Sequence, residues 1–483
     1  MKNRMEDKRA IPVNFHIVSI ALLALVTSGC ATYYHQHSNF NSEFENGDLK
    51  KALETLQTND RQADGRSRFI YYVNNGLLLS ILGKYEESND YFEKAFLFGE
   101  DYHINYVYEA TAYLTNPNVT IYRGEDHEHL MLLYFKAVNY LKMNRPEQAL
   151  IECRRLNIRL NQLSDKYTSD KKYQRDAFIH TLMGIIYQST KDYNNAFIAY
   201  RNALDVYEAE YTSMFQLQAP EQLKRDMLNT AWWTGFVQEF ETYRDKFGMT
   251  GYQPAKPEAE LVFFWHNGLA PIKSEWSINF VIDHRDNLIV FSNPALGLAF
   301  PYKVEEKNEK RDLKQLEVFR VAFPKYVERP LYFKGATIRT DSGAFEVEMA
   351  EDISKIAFHS LEQRMMLEFS KGLLRAAVKK ATEHSIRKED DRLGALIGIV
   401  NAITEQADTR NWQTLPHSIY YSRIPMRVGE NKVTFTLHAD HEPAEYTFNY
   451  KADQGQTLFH TFSSLESLTA PVRMYKSNRL TID

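Results

Sequence analysis

The chain has 483 residues, of which 44% are hydrophobic and 25% charged, with only 20 Gly and 15 Pro. At roughly 100–200 residues per domain this predicts two or three domains with ample apolar material for a core, and it excludes collagen-like, disordered and multi-span membrane classes. A formal net charge of −5 gives no general attraction for nucleic acid.

Lys2, Arg4, Lys8 and Arg9 open the chain, and an apolar stretch from Ile17 to Val26 follows. That run is too short to span a bilayer and reads as a secretory signal over residues 1–29. It ends in Val26-Thr27-Ser28-Gly29-Cys30, with small residues directly before a Cys. This resembles the bacterial lipobox, which implies that Cys30 is acylated and becomes the mature N-terminus. The other cysteine is Cys153, so a lipidated Cys30 leaves no intramolecular disulfide despite export. Ala31 is not the Asp of inner-membrane retention, and Thr32-Tyr33-Tyr34-His35 lacks an acidic export cluster. The expectation is a lipid-anchored outer-membrane protein whose body faces the periplasm, held by several acyl chains.

Residues 30–255 carry a repeated helical pattern. Gly184-Ile185-Ile186-Tyr187 is followed by Asp192-Tyr193, Ala196, Tyr200 and Ala203. The same offsets select Gly76, Leu79, Gly83, Tyr85, Ser88, Phe92 and Ala95, then Ala137, Tyr140, Asn144, Ala149 and Cys153. A degraded first copy has Gly47, Leu49, Ala52 and Leu56. The pattern resembles the tetratricopeptide repeat, in which small residues let two antiparallel helices approach and large ones fill the gaps. Cys153 falls in an aromatic slot and reads as a small buried hydrophobe. The spacing from Gly76 to Ala137 far exceeds the roughly 34 residues of a regular array, so an insertion is expected around Tyr102 to Asp126.

The first helix of each pair lines the inner face of such an array. There the residues beside the packing stripe are Ile70, Val73, Leu77 and Ile81, then Met131, Tyr134, Val138 and Leu141. So apolar a face is either covered by later parts of the chain or open as a groove for a partner segment. Helical spacing continues through Met227, Leu228, Ala231, Trp232, Phe236 and Phe240, and Gly248, Gly251, Pro254 and Pro257 mark a linker.

Residues 256–466 read as strand-rich, giving an α+β chain: an α-solenoid, then an antiparallel, sandwich-like β domain with a helical insertion at about 351–408 and a tail at 467–483. Leu261-Val262-Phe263-Phe264-Trp265 is a continuous apolar run typical of a buried strand. Ile278 to Phe291 and Ile338 to Met349 read as hairpins, and Val433-Phe435-Leu437 and Tyr446-Phe448-Tyr450 alternate before Asp453-Gln454-Gly455. Between them Ile353, Ile356, Ala357, Leu361 and Met365 follow the helical period, and a later run, Leu393 to Ile403, carries Gly394 and Gly398. That run is either a buried packing helix or a contact surface.

Two segments stand out as possible sites: His266-Asn267-Gly268-Leu269-Ala270-Pro271-Ile272-Lys273, and Ala407 to Pro416, which holds Asp408, Arg410 and Trp412, with Arg423 downstream. Pairing of Asp408 with Arg410, a stacking Trp412 and the charge of Lys273 suit a small anionic or sugar ligand. The same residues equally suit a brace at a helix-to-strand junction. Together with the lipobox and the repeats, the glycine–proline–lysine turn and the Asp-x-Arg-x-Trp-x-x-Leu-Pro element resemble a family of lipidated, tetratricopeptide-bearing bacterial envelope proteins. Members of that family are encoded beside small lipoproteins, one of them related to the curli secretion pore. The resemblance implies a role in envelope assembly or export, with other envelope proteins as partners.

No Walker loop, Gly-x-Ser-x-Gly elbow, Gly-x-Gly-x-x-Gly or His-Glu-x-x-His occurs. His127-Glu128-His129 reads as incidental surface polarity, because histidines two apart on a helix point to different faces. No catalytic residue, metal site or cofactor is expected. The leading expectation is a scaffold for another envelope protein; the second is a module binding cell-wall or polysaccharide fragments through Lys273, Arg410 and Trp412.

Overall fold

The computed structural model describes residues 32–58, 65–100, 121–164, 173–285, 288–303, 318–365, 373, 407–440 and 443–467. The signal segment with Cys30, most of the expected insertion after the second repeat, the run holding Gly394 and Gly398, and all but the first residue of the tail lie outside them. Among the described residues no helix is long and apolar enough to cross a membrane.

Helices come first. After a one-turn α1 (Tyr33–Gln36) come the pairs α2 (Ser38–Glu45) and α3 (Leu49–Gln57), α4 (Arg68–Ile81) and α5 (Tyr85–Glu100), α6 (Asp126–Lys142) and α7 (Pro146–Ser164), and α8 (Ala177–Ser189) and α9 (Tyr193–Val206). A fifth pair, α10 (Glu221–Thr234) and α11 (Val237–Lys246), closes the series. The small residues of the repeat do what their size demands. A Cβ on Gly76 would stand 2.6 Å from the Phe92 ring, and one on Gly184 would overlap the ring of Tyr200. The α4–α5 and α8–α9 hairpins thus close by seating an aromatic of the second helix in a notch of the first, while α6–α7 has Ala137 and Cys153 at these positions. The first helices α4, α6 and α8 are buried along nearly their whole length, so they form an inner layer; the second helices are half exposed and form the outer one. A single turn of π-helix, Tyr207–Tyr211, follows α9 and turns both tyrosines inward.

The second half builds two sheets from β1 (Ala259–Asn267), β2 (Ile272–Arg285), β3 (Leu288–Asn293), β4 (Leu298–Lys303), β5 (Val318–Val327), β6 (Phe333–Thr340), β7 (Gly343–Asp352), β8 (Ser418–Met426), β9 (Gly429–Ala439), β10 (Ala444–Ala452) and β11 (Thr457–Ser464). The larger sheet runs β10-β9-β6-β7-β8-β1-β11, and the smaller β4-β3-β2-β5. A helix begins at residue 353, directly after β7. The expected hairpins form: β2 with β3, β6 with β7 and β9 with β10 are antiparallel neighbours.

The expectation of an antiparallel sandwich is corrected in two respects. First, β11 pairs with β1 in parallel. The turn after β10 is held at the start of β1, where the Gly455 N–H donates to the Glu258 carbonyl at 2.6 Å and the Glu260 N–H donates to the Gln456 carbonyl at 2.9 Å. Both strands therefore leave from the same end. Second, the larger sheet rolls on itself instead of stacking on the smaller one. Its outermost strands meet through side chains: Tyr446 of β10 and Phe462 of β11 have ring centroids 4.6 Å apart, and Phe448 and His460 4.5 Å. The two sheets have separate apolar cores.

The strand period explains why β1 is apolar at almost every position. Leu261, Phe263 and Trp265 point into the roll, while Val262 and Phe264 point at the helices. Both faces are covered, so neither row is free to be polar. The layers are outer helices, inner helices, the β1–β8 wall, and the interior of the roll. Gly184→Ala tests the hairpin notch: the overlap with Tyr200 is expected to cost about 1–3 kcal/mol, read as a lower urea midpoint. An unchanged midpoint would show that the helices do not close on that glycine.

Candidate functional site

The inner face of the helical array is not an open groove. Ile70, Val73, Leu77, Met131, Tyr134, Val138 and Leu141 are all buried, and Ile81 is half-buried against the same cluster. That cluster takes in Val262, Phe264, Leu269, Trp412, Leu415, Ile419 and Tyr421 from the second half. The expectation of a partner-binding groove at these eight residues is therefore corrected, because the chain fills the face with its own β1–β8 wall and the 407–416 segment. An apolar face of this size gains most by burial, and the covering strands supply it within one chain.

The two segments singled out by sequence meet each other. The Ala270 N–H donates to the Leu415 carbonyl (2.7 Å), the Asn411 side-chain amide donates to the Pro271 carbonyl (2.8 Å), and the Lys273 N–H donates to Asn411 Oδ1 (3.3 Å). Gly268 makes the turn at φ +61°, where a Cβ would press on Leu331. Asp408 takes Arg410 Nε at 2.8 Å and Nη2 at 2.5 Å, the pairing that the spacing suggested. Trp412 packs against the stacked rings of Phe92 and Phe135, with centroids at 5.9 and 6.1 Å, and its indole N–H donates to Thr414.

All four residues of the expected ligand site are sealed. Lys273 and Trp412 are 0% and 1% exposed, Asp408 and Arg410 8% each. Their partners are protein groups, so the reading of an anion or sugar site at Lys273, Asp408, Arg410 and Trp412 is corrected in favour of the brace. Lys273 pairs with Glu125, which also receives Arg364. The Trp412 backbone N–H donates to the Glu128 carboxylate at 2.6 Å, and the Tyr122 hydroxyl donates to the same group at 2.8 Å. Burial raises both the Glu125 and Glu128 carboxyls, and the Lys273 ammonium opposes that rise. The Asp408 carboxyl is held below its usual range by Arg410, which outweighs burial.

Two further contacts fasten the halves. Arg423 of β8 lies 3.0 Å from Asp226 of α10 and 2.6 Å from Glu260 of β1, and it donates to the Tyr200 hydroxyl at 3.1 Å. At the π-turn, Tyr207 donates to the Ala350 carbonyl (2.7 Å) and Tyr211 to Glu351 (3.2 Å), while Tyr173 donates to Asp176 (2.9 Å). Burial pushes the Glu351 and Asp176 carboxyls up, and the charge of Asp176 raises Glu351 further.

Sequence reasoning misplaced one element and missed its use. His127, Glu128 and His129 are buried, not surface polarity, because α6 starts inside the joint between the halves. Burial lowers His127 to about 3, so its ring is neutral. The available signal was Glu125-x-x-Glu128 ahead of an apolar run, a helix-start pattern in which the Glu128 carboxylate accepts the Glu125 N–H at 2.9 Å. Arg329 was also missed. It donates to the Ala270 and Gln413 carbonyls and pairs with Glu45 at 2.9 Å, tying α2 to both segments. Cys153 is buried, and burial pushes its thiol well above the usual range. Among the described residues no three His, Cys, Asp or Glu side chains are placed to hold a metal ion.

No protein-family model matches the sequence, and no curated protein is similar to it at a significant level. Solved structures with some likeness include BtubC (BKLC) from P. vanneervenii, at 14% identity over 45% of this chain and 80% of that one, with a TM-score of 0.32. MamA from Desulfovibrio magneticus RS-1 has 15% identity, 44% and 89% coverage and a TM-score of 0.27. A kinesin light chain of Podosopora anserina with TPR-like repeats has 12% identity, 44% and 92% coverage and a TM-score of 0.30. The helical part is the part they resemble, and its tetratricopeptide character rests on the hairpin packing described above.

Removing Lys273 leaves the buried Glu125 carboxyl with Arg364 alone and empties a fully buried site. Lys273→Ala is therefore expected to cost about 3–5 kcal/mol, measured by urea unfolding; a loss below about 1 kcal/mol, the scale of an exposed pair, would contradict the joint. Glu351, facing Asp176, Asp352, Tyr173 and Tyr211, keeps its proton in the folded protein to higher pH than in the unfolded chain. Its contribution to stability is then present at acidic pH and falls as pH rises past the ordinary glutamate value. Glu351→Gln is expected to raise the thermal midpoint more at about pH 8 than at about pH 5. A parallel shift at both would contradict it.

Proposed function

We propose that this is an outer-membrane-anchored periplasmic lipoprotein that holds another envelope protein during assembly or secretion, without catalysing a reaction itself. Acylation at Cys30 is the anchor in this reading. The observation that supports it is the outer face of the second helices. Leu97 of α5, Ile151 and Ile158 of α7 and Ile198 of α9 are exposed by 37–59%. Ile151 and Ile198 occupy equivalent positions of their helices, as do Leu97 and Ile158. A row of apolar side chains repeated on successive hairpins, with the inner face already filled, supports a partner surface on the outside. Ile151→Glu with Ile158→Glu leaves the buried packing untouched. Crosslinking in membranes is expected to recover several-fold less partner from this variant than from the parent; equal recovery would remove the surface.

The second reading, binding of cell-wall or polysaccharide fragments, loses its original residues but gains another observation. A cavity of about 200 Å³ lies between α1, α2, α3 and α4, lined by Tyr33, Gln36, Asn39, Asn74 and Gln413 among others. Neutral amides beside an aromatic ring suit a small sugar. Calorimetric titration with muropeptides, compared between the parent and Asn39→Trp, tests it: heat lost in the variant supports a cavity ligand, and no heat in either excludes one.

A further inference from the structure

We propose that the body lies flush against the bilayer, with the end of the molecule that carries Tyr33, Arg66 and Ile121 facing lipid headgroups; this rests on the reading of Cys30 as the acylated residue. Tyr33 is buried, and its backbone N–H donates to Thr409 Oγ1 at 3.0 Å. Three residues of extended chain span at most about 10 Å, so an acyl group at Cys30 holds this end of the body at the membrane surface. A long flexible tether, which would let the body turn freely, is ruled out by the depth at which Tyr33 is seated.

The surface next to that seat has the chemistry of a headgroup contact. Arg410, one residue beyond Thr409, donates to the Arg66 carbonyl at 3.2 Å, and its guanidinium lies 5.3 Å from the centre of the Tyr122 ring. The Tyr122 N–H donates to the same Arg66 carbonyl at 2.7 Å. The tether seat, Arg66 and the 121–123 segment are thus bonded into one place. There the Arg66 side chain is exposed, Ile121 is 49% exposed, and Arg123 is half-buried beside Phe98. The chain as a whole is acidic, at −5, so an anionic leaflet repels the body in general and attracts it here. Basic residues with an exposed aliphatic side chain between them fit an anionic headgroup layer and the shallow apolar zone beneath it.

The test uses the full acylated protein on vesicles of phosphatidylethanolamine and phosphatidylglycerol. Ile121→Cys and, at the far end of the array, the exposed Val237→Cys each carry a fluorophore quenched by aqueous iodide; Cys153 is buried and stays unlabelled. On vesicle binding, quenching at position 121 is expected to fall several-fold and to stay unchanged at 237. A flexible Gly/Ser spacer inserted between Ala31 and Thr32, combined with Arg66→Glu, is expected to restore quenching at 121. Equal quenching at both positions in a protein that floats with the vesicles would overturn the apposition while leaving the anchor intact. An unmodified Cys30 by mass spectrometry, with no flotation, would overturn the anchor and the apposition with it.

Discussion

Two carboxylates at the first turn of α6 hold the molecule in its observed form. Glu128 accepts the backbone N–H of Trp412 and the hydroxyl of Tyr122, and Glu125 receives Lys273 and Arg364. They sit where the helical array, the β1–β2 turn and the 407–416 segment converge. Burying such charges costs several kcal/mol per ion before pairing offsets it, so their net contribution to stability is small. What they supply is geometry. A carboxylate with no water to fall back on permits one position for Trp412 and one for Lys273, and a shifted β half leaves charges stranded. Arg423 between Asp226 and Glu260 does the same at the other end of the wall.

That constraint decides what the repeats can be used for. Stacked hairpins of this type offer an inner and an outer face. Here the inner face is part of the fold: Val73, Leu77 and Tyr134 share a core with Trp412 and Tyr421. Opening it would expose a wide apolar surface and several unpaired charges at once. The outer face of the array, where Ile151 and Ile158 are exposed, is what remains for the proposed contact with a partner. A body fastened across its own groove has a fixed shape, and under the proposed anchoring at Cys30 it would present its outer helices as a rigid surface.

Much of this was legible in the sequence where the causes are local. Gly76 opposite Phe92 and Gly184 opposite Tyr200 announce hairpins, because a notch and a ring at a fixed offset have one way to fit. The unbroken apolar run Leu261 to Trp265 announces a strand covered on both faces, and the segments around Lys273 and Trp412, singled out as either a ligand site or a brace, meet each other as a brace. What covers a face is a different kind of fact. Period and composition show that Ile70 and Met131 want burial, but not that strands more than a hundred residues later supply it. For the same reason His127-Glu128-His129 read as surface: alternate positions on a helix point apart, and both directions turn out to be interior. The parallel pairing of β11 with β1 depends on where a turn is held, at Glu258, which no alternation pattern encodes.

Native-state hydrogen exchange at the Trp412 amide reaches the centre of this account. Its N–H is bound to a side chain of α6 and not to a neighbouring strand, so it exchanges only when the two halves separate. Protection at Trp412 equal to that of the buried α6 amides around Leu132 to Phe135, lost together with them as denaturant rises, is the predicted result. Fast exchange at Trp412 while α6 stays protected would contradict it, and would mean that the inner face opens.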